Sequence, residues 1–342
     1  MVMDGGALHK ISVAPMMDWT DRHCRFFLRQ FSQHLLLHTE MITTGAILHG
    51  DYKRLLRFNS EEQPVALQLG GSNPNELSEC ARIGSDAGYC EINLNVGCPS
   101  SRVQEGRFGA CLMKEPQLVG DCVDAMIAAV DIPITIKTRI GIDEQPEGPA
   151  LENFINTVAQ AGCKRFVIHA RKALLQGLSP RENREVPPLN YPVVYEMKKR
   201  FSDIDVVING GITDCDQGKI HLSYVDGIMF GRAAYQNCFM LSQVDNCFYG
   251  EDDPALSRHQ IAQSMIPYIA HAIEEGIPLV AVTRHMLGLF HGVPGARLWR
   301  RNLSVMARNP DTTISLIEET LDSIPNTDQH THESKKPVNT SS

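Results

Sequence analysis

The chain has 342 residues, 43% hydrophobic and 21% charged, with a formal net charge of −8. These values are ordinary for a soluble globular enzyme and allow one large domain plus a small one. They argue against membrane spans, because no apolar run nears the ~18–20 residues a span needs, and the acidic total counts against nucleic acid unless charge is read locally. The opening residues, MVMDGGALHKISVAP, carry an early Asp and no apolar stretch, so no secretory signal is read there. The 10 cysteines include no CxxC pair. The expectation is reduced thiols, a cytoplasmic location and no structural metal site.

In chain order, β-type runs recur with room for a helix between them. They are KISVAP (10–15), HLLLHTEM (34–41), PVALQLGG (64–71), CEINLNVG (90–97), PITIKTRIG (133–141), RFVIHAR (165–171), DVVINGG (205–211) and VDGIMFGR (225–232). Several are nearly continuous in apolar residues, as expected of parallel strands buried on both faces. Helix signals lie between them: a capped start at Asn73-Pro-Asn-Glu, and helical spacing over 116–130 and 151–161. Eight such β-then-α units predict an α/β fold, a (β/α)8 TIM barrel. The rival, a dinucleotide-binding open sheet, would show GxGxxG after its first strand, and ISVAPMMDW offers no glycine there.

After Gly250 the β pattern stops. Asp253-Pro254 opens a helical stripe, and further helical stretches follow over 279–291, 295–307 and 311–323. The predicted organisation is an extension (1–9), a barrel (10–250), a small all-helical C-terminal domain (251–325) and a polar, disordered tail (326–342).

A barrel of this type gathers chemistry at the C-terminal ends of its strands. Those ends hold Pro15, Met16 and Met17, Gln68, Asn95 with Cys98, Lys137 and Arg139, His169 with Arg171 and Lys172, Asn209 with Gly210 and Gly211, and Gly231 with Arg232. Glycines after the last two strands suit a phosphate, which barrels commonly hold there, so a phosphate-bearing cofactor is expected over two plain turns. Lys137 has three readings: a Schiff-base amine, a cation beside a reduced flavin, or a salt-bridge partner. Gln68 favours the flavin, since an amide can both donate to and accept from its pyrimidine edge. His169 reads as a ligand donor or a buried structural imidazole, and its basic neighbours favour the first. Between the cysteines, Cys98 follows a strand directly within Gly-Cys-Pro, whereas Cys111 sits among small apolar residues. An unperturbed thiol, pKa ~8.5, is mostly protonated near pH 7 and so suits a general acid.

Taken together, long segments resemble the tRNA-dihydrouridine synthases, and among them the DusA-type bacterial subfamily. The matching stretches include APMMDWTDRHCR (14–25), TEMITTGA (39–46), PVALQLGG (64–71), EINLNVGCPSSRVQEGRFGACLM (91–113), IPITIKTRIGID (132–143), IHARKALLQGLSPRENREVPPL (168–189), INGGI (208–212), MFGRAAYQNC (229–238) and GVPGARLWRR (292–301). The resemblance implies a barrel that binds FMN, with NADPH as electron donor and a D-loop uridine of tRNA, at positions 20 and 20a, as substrate. It assigns the acid to Cys98 and leaves Cys111 structural. FMN contacts carried over are Pro15, Met16, Met17, Gln68, Lys137, His169, Asn209, Gly210, Gly211, Gly231 and Arg232. Positions matching tRNA contacts are Asn95, Arg181, Arg184, Arg297 and Arg300. No membrane and no obligate protein partner are implied.

Local charge answers the objection of an acidic total. Arg297, Arg300 and Arg301 stand at i, i+3 and i+4, so on a helix they share one face. With Arg284, Arg308, Arg171, Lys172, Arg181 and Arg184 they are expected to line a basic track for phosphates. Two other functions compete. A flavin barrel acting on a small molecule would need no arginine helix, and a catalytically silent RNA-binding protein would need neither Cys98, Lys137 nor His169.

Overall fold

The computed structural model describes residues 10–251, 256–309 and 312–328. Each β-type run matches one observed strand, β2 reaching two residues past its run: β1 Ile11–Val13, β2 Leu37–Thr43, β3 Val65–Gly70, β4 Glu91–Val96, β5 Ile134–Arg139, β6 Arg165–His169, β7 Asp205–Asn209 and β8 Gly227–Phe230. All pairings are parallel, and the sheet order is β1-β8-β7-β6-β5-β4-β3-β2. A parallel bridge from Ser12 of β1 to Leu36, just ahead of β2, closes the ring. There the Val13 N–H donates to the Leu36 carbonyl at 3.0 Å, and the Leu36 N–H donates to that of Ile11 at 3.1 Å. A helix follows every strand, so the chain forms the (β/α)8 TIM barrel that the pattern predicted.

Local chemistry accounts for the outer ring. Helix Pro74–Asp86 opens with Asn73, whose side chain accepts from the N–H groups of Asn75 and Glu76, and with proline in the first turn. Its buried residues Leu77, Cys80, Ala81 and Gly84 recur at helical spacing and turn to the sheet. Gly84 is required for the approach, since a Cβ there would stand 2.6 Å from Leu67 Cδ2. Helices Pro116–Ile127 and Glu147–Gln160 likewise stand where helical spacing put them.

The described chain divides into two compact units. One comprises residues up to Arg25 together with His34–Gly231, and the other comprises Phe26–Gln33 and the residues from Arg232 onward. The sequence pattern put its boundary at Gly250, where strands cease; contacts group 232–250 with the second unit.

That unit is helical, with Arg258–Ser264, Ile266–Glu274, Leu279–Thr283, Ala296–Ser304 and Ser315–Asp322. The expected start at Asp253-Pro254 lies outside the described residues. Ser257 caps the first of these helices in a reciprocal pair with Gln260. The stretch read as helical over 279–291 is helix only to Thr283, and turns follow. Gly288 sits in those turns where a Cβ would meet the Tyr235 carbonyl at 2.6 Å. Trp299 is fully buried, with its indole N–H donated to the Met286 carbonyl at 2.7 Å. Phe26 and Tyr268 stack with ring centroids 3.9 Å apart. Of the expected tail, residues 329–342 lie outside the described residues, and Asp328 forms an ion pair with Arg258. Among the described residues no helix is long and apolar enough to cross a membrane.

Candidate active site at the strand C-termini

Parallel strands point the same way, so their C-terminal ends share one rim of the barrel. The segment after β4 is tied down on both sides of Cys98. Asn95 Oδ1 accepts from the N–H of Gly97 at 3.1 Å and of Cys98 at 3.0 Å. The Cys98 carbonyl accepts from the Ala110 N–H at 2.9 Å. Gly109, at φ 75°, makes room for this contact. Its Cβ would lie 2.7 Å from the Cys98 carbonyl oxygen. Cys98 itself stays partly exposed at the rim. Cys111 donates its thiol to the Phe108 carbonyl at 3.1 Å, and burial pushes its pKa up. Asn95, expected at the RNA, is 9% exposed and spends its amide within the barrel, Nδ2 donating to Gln68 Oε1 at 2.9 Å.

Lys137, His169 and Asn209 stand on the inner faces of β5, β6 and β7 at the same rim. Lys137 Nζ donates to Asn209 Oδ1 at 3.1 Å, and Asn209 Nδ2 donates to the Met229 carbonyl at 2.8 Å. The lysine therefore has an amide partner where a salt bridge was one of the readings. Desolvation, with Arg139 adding to it, pushes the Lys137 ammonium down to about 7, while a Cys98 thiolate would act the other way. His169 is held well below its ordinary value by desolvation and then by Arg139, Lys137, Arg171 and Arg184. Among the described residues, the charged side chains that chiefly act on Lys137 and His169 are Arg139, Arg171 and Arg184. A rim so charged is suited to an anion.

Gly210 and Gly211 follow β7 with φ 113° and 76°. A Cβ on Gly210 would meet His169 Cδ2 at 2.7 Å, and one on Gly211 would meet Leu189 Cδ1 at 2.6 Å. The Tyr191 hydroxyl donates to the Gly210 carbonyl at 2.8 Å. Bare backbone at this place lets N–H groups come close to a phosphate, so the residues present fit a phosphate-bearing anionic cofactor. Pro15 and Met16 are half-buried after β1, and Met17 is exposed. Met16 packs on Ala14, Val167, Val207 and Met229. Gly231 ends the first unit and Arg232 opens the second.

Arg171, Lys172 and Arg232 are half-buried, whereas the arginines expected to contact tRNA face solvent. Arg181 lies 3.9 Å from Glu185, and Arg184 is exposed on the same short 3-10 turn. In helix Ala296–Ser304, Trp299 and Leu303 are buried while Arg297, Arg300 and Arg301 are exposed. The three arginines thus occupy the solvent side of an amphipathic helix.

Sequence reasoning named Arg139 without giving it a role. Its guanidinium is 4% exposed and ties three segments together. Nε donates to the Gly97 carbonyl at 3.0 Å, and Nη1 donates to those of Lys172 at 3.0 Å and Asn183 at 2.9 Å. Asn183 is fully buried, and its Oδ1 accepts from the Leu174 N–H. Asn93 and Thr135 were missed altogether. The available signal was the strict polar–apolar alternation of Glu91-Ile-Asn-Leu-Asn-Val, unusual for a strand buried on both faces.

Comparison with known proteins agrees with the resemblance read from the motifs. The chain is 54% identical to the tRNA-dihydrouridine(20/20a) synthase of Vibrio cholerae over 319 residues, 92% of this chain and 97% of that one. It is 57% identical to the protein of the same name from Synechocystis over 298 residues, 87% and 89% of the two chains. For that of Escherichia coli K12 the figures are 55% over 315 residues, 91% and 90%. A solved 2-naphthoyl-CoA reductase complex superposes with a TM-score of 0.52 at 11% identity, covering 71% of this chain and 50% of that one, which is a likeness of fold. The family described as dihydrouridine synthase (Dus) matches residues 12–325. With relatives more than half identical along most of its length, the chain belongs to the dihydrouridine synthase family.

Proposed function

We propose that this chain is a cytoplasmic tRNA-dihydrouridine synthase that reduces the C5–C6 double bond of D-loop uridines at positions 20 and 20a. In this reading FMN is its cofactor, NADPH its electron donor and tRNA its partner, with no protein partner required. The names of its relatives support the substrate. A rim where buried Arg139 and Lys137 stand beside His169 and bare glycine backbone supports an anionic flavin. When bound, reduced flavin supplies a hydride to C6 of uracil.

The chain's own residues do the rest. Gly210 and Gly211 would cradle the phosphate, with Gly231 and the residue after it, Arg232. His169 offers a ring N–H to it, and Pro15, Met16 and Met17 would border the ring system. Gln68 keeps one donor and one acceptor free for a pyrimidine edge after its two bonds inside the barrel. Lys137 offers positive charge to the cofactor. Cys98 would give its proton to C5 and be left as a thiolate. Lys137 and Arg139 stabilise that thiolate by charge before solvent reprotonates it. The target base must leave its stack to reach the rim. Arg181, Arg184, Arg297 and Arg300 bind phosphates, and Asn95, whose amide is held by Gln68 and the Cys98 segment, serves the base through that segment.

The observation that carries this reading is Cys98, anchored through its own N–H and carbonyl at a rim whose neighbouring charges are positive. The test is dihydrouridine mapping in tRNA from a strain lacking the gene. Dihydrouridine is expected to vanish at positions 20 and 20a; its retention at both overturns the assignment.

A further inference from the structure

A polar row climbs the inside of the barrel beneath Cys98. Glu91, Asn93 and Asn95 alternate along β4 with Ile92, Leu94 and Val96, so the three share its inner face. Gln68 of β3 and Thr135 of β5 stand in register with Asn93 on either side. Asn93 is 0% exposed, and Glu91, Gln68 and Thr135 are each 1% exposed. Barrel interiors of this class are ordinarily filled by Val, Ile and Leu, so these five polar residues need a reason.

Hydrogen bonds join them end to end. Thr135 Oγ1 donates to Glu91 Oε1 at 2.5 Å, and Asn93 Nδ2 donates to Thr135 Oγ1 at 2.8 Å. Gln68 Nε2 donates to Asn93 Oδ1 at 2.7 Å, and Asn95 Nδ2 donates to Gln68 Oε1 at 2.9 Å. The row ends where Asn95 Oδ1 receives the N–H groups of Gly97 and Cys98. Every donor points toward Glu91.

Burial pushes the Glu91 pKa up to about 7, and while Glu91 is ionised one polarity is imposed on all the amides, the same one that the Gly97 and Cys98 N–H groups require at Asn95. A hydroxyl that donates to Glu91 has only its lone pairs left for Asn93. That turns Asn93 Nδ2 to Thr135 and Oδ1 to Gln68. Gln68 must then show Nε2 to Asn93 and Oε1 to Asn95, which leaves Asn95 Oδ1 for the Cys98 N–H. A flip anywhere would oppose two like groups in a buried, low-dielectric place.

We propose that Thr135 and Asn93, anchored on Glu91, are positioning residues that set the Gln68 amide and, through Asn95, hold Cys98 for proton transfer. This rests on Cys98 being the proton donor. Thr135→Val is the decisive variant because it keeps the shape and removes the hydroxyl, and Thr135→Ser restores the link. Cys98 alkylation by iodoacetamide is followed peptide by peptide in the folded, flavin-loaded protein before tRNA is added. Cys80 and Cys122, buried away from the row, and Cys163, buried beside its Glu91 end, report on the fold in the same sample.

In Thr135→Val, alkylation of Cys98 should quicken at least threefold while the buried thiols stay unlabelled. The kcat for uridine reduction should fall at least tenfold with tRNA affinity held within twofold. Thr135→Ser should bring both back to within twofold of the parent. If Thr135→Val does not fold, Asn93→Ala is read by the same measures. Unchanged Cys98 alkylation and kcat overturn the proposal, as does labelling of Cys80, Cys122 and Cys163 in step with Cys98. Uridine reduction surviving in Cys98→Ala would instead refute Cys98 as the acid, and the alkylation of Cys98 would still decide whether the row holds its loop.

Discussion

Beneath His169 and Asn209 at the rim, the two sides of the barrel interior are made of opposite materials. On β6, β7, β8 and the chain leaving β1, the inner face carries Val167, Val207, Met229 and Ala14, with Met16 packed on them. On β3, β4 and β5 it carries Gln68, Asn93, Asn95, Thr135 and Lys137. The apolar side gains by area and accepts exchanges that keep volume. The polar side gains by direction, since each member is held by the next and an orphan is expensive. One side fills the barrel and the other aims groups at its rim.

The hardest test of that contrast is at the rim. Cys98→Ala should cut uridine reduction about 10²–10⁴-fold, the usual worth of a general acid, while flavin reduction by NADPH persists. Single-turnover rates of the two half-reactions separate these effects. On the apolar side, Met229→Ala should cost about 2–5 kcal/mol of stability, read from the urea midpoint, and leave the Cys98 chemistry intact. A loss of activity out of proportion to folded protein would erase the distinction between the sides.

A control outside both sides comes from the arginine helix. Arg297→Ala with Arg300→Ala should weaken tRNA binding roughly tenfold and flatten the slope of log K against log salt by about two. Flavin content and Cys98 alkylation should not move. An unchanged salt slope would mean that these arginines do not meet phosphates.

Lys137 gives the polar side a signature in protons. Its value of about 7 lies below its ordinary 10.5, so near pH 8.5 the flavin-free protein holds it mostly neutral. Between those two values the unfolded chain binds more protons, and this group's contribution to stability rises with pH. Binding an anionic flavin favours the charged amine, so flavin binding near pH 8.5 should take up as much as one proton. Calorimetry in buffers of different ionisation enthalpy measures it, and Lys137→Met should abolish it. The smallest effect is expected at Cys111→Ala, about 1 kcal/mol of stability with turnover kept. Loss of turnover there, with Cys98→Ala active, would reverse the roles of the two thiols.

Much of the molecule was legible without coordinates. All the strands, the barrel and the rim residues followed from runs such as DVVINGG and CEINLNVG, because parallel strands buried on both faces leave continuous apolar signatures. Helix starts were legible where a cap stood in the sequence, as at Asn73, and less so in the second unit. There the cap is Ser257, and Phe26–Gln33 joins residues more than 200 positions later. No periodicity encodes a contact of that kind.

The sequence by itself determined which residue types reach the rim, since strand period and strand end suffice to place Gln68, Cys98, Lys137, His169 and the glycines. Only the tertiary structure decided what each of them does there. Asn95 turns its amide to Gln68 and the Cys98 N–H, Arg139 spans three segments to grip the Gly97 carbonyl, and Lys137 pairs with Asn209 across an intervening strand. These partners stand 27 to 72 positions apart or depend on one residue of strand register. The closed ring supplies that register, and with it the low-dielectric interior in which such bonds select a single orientation.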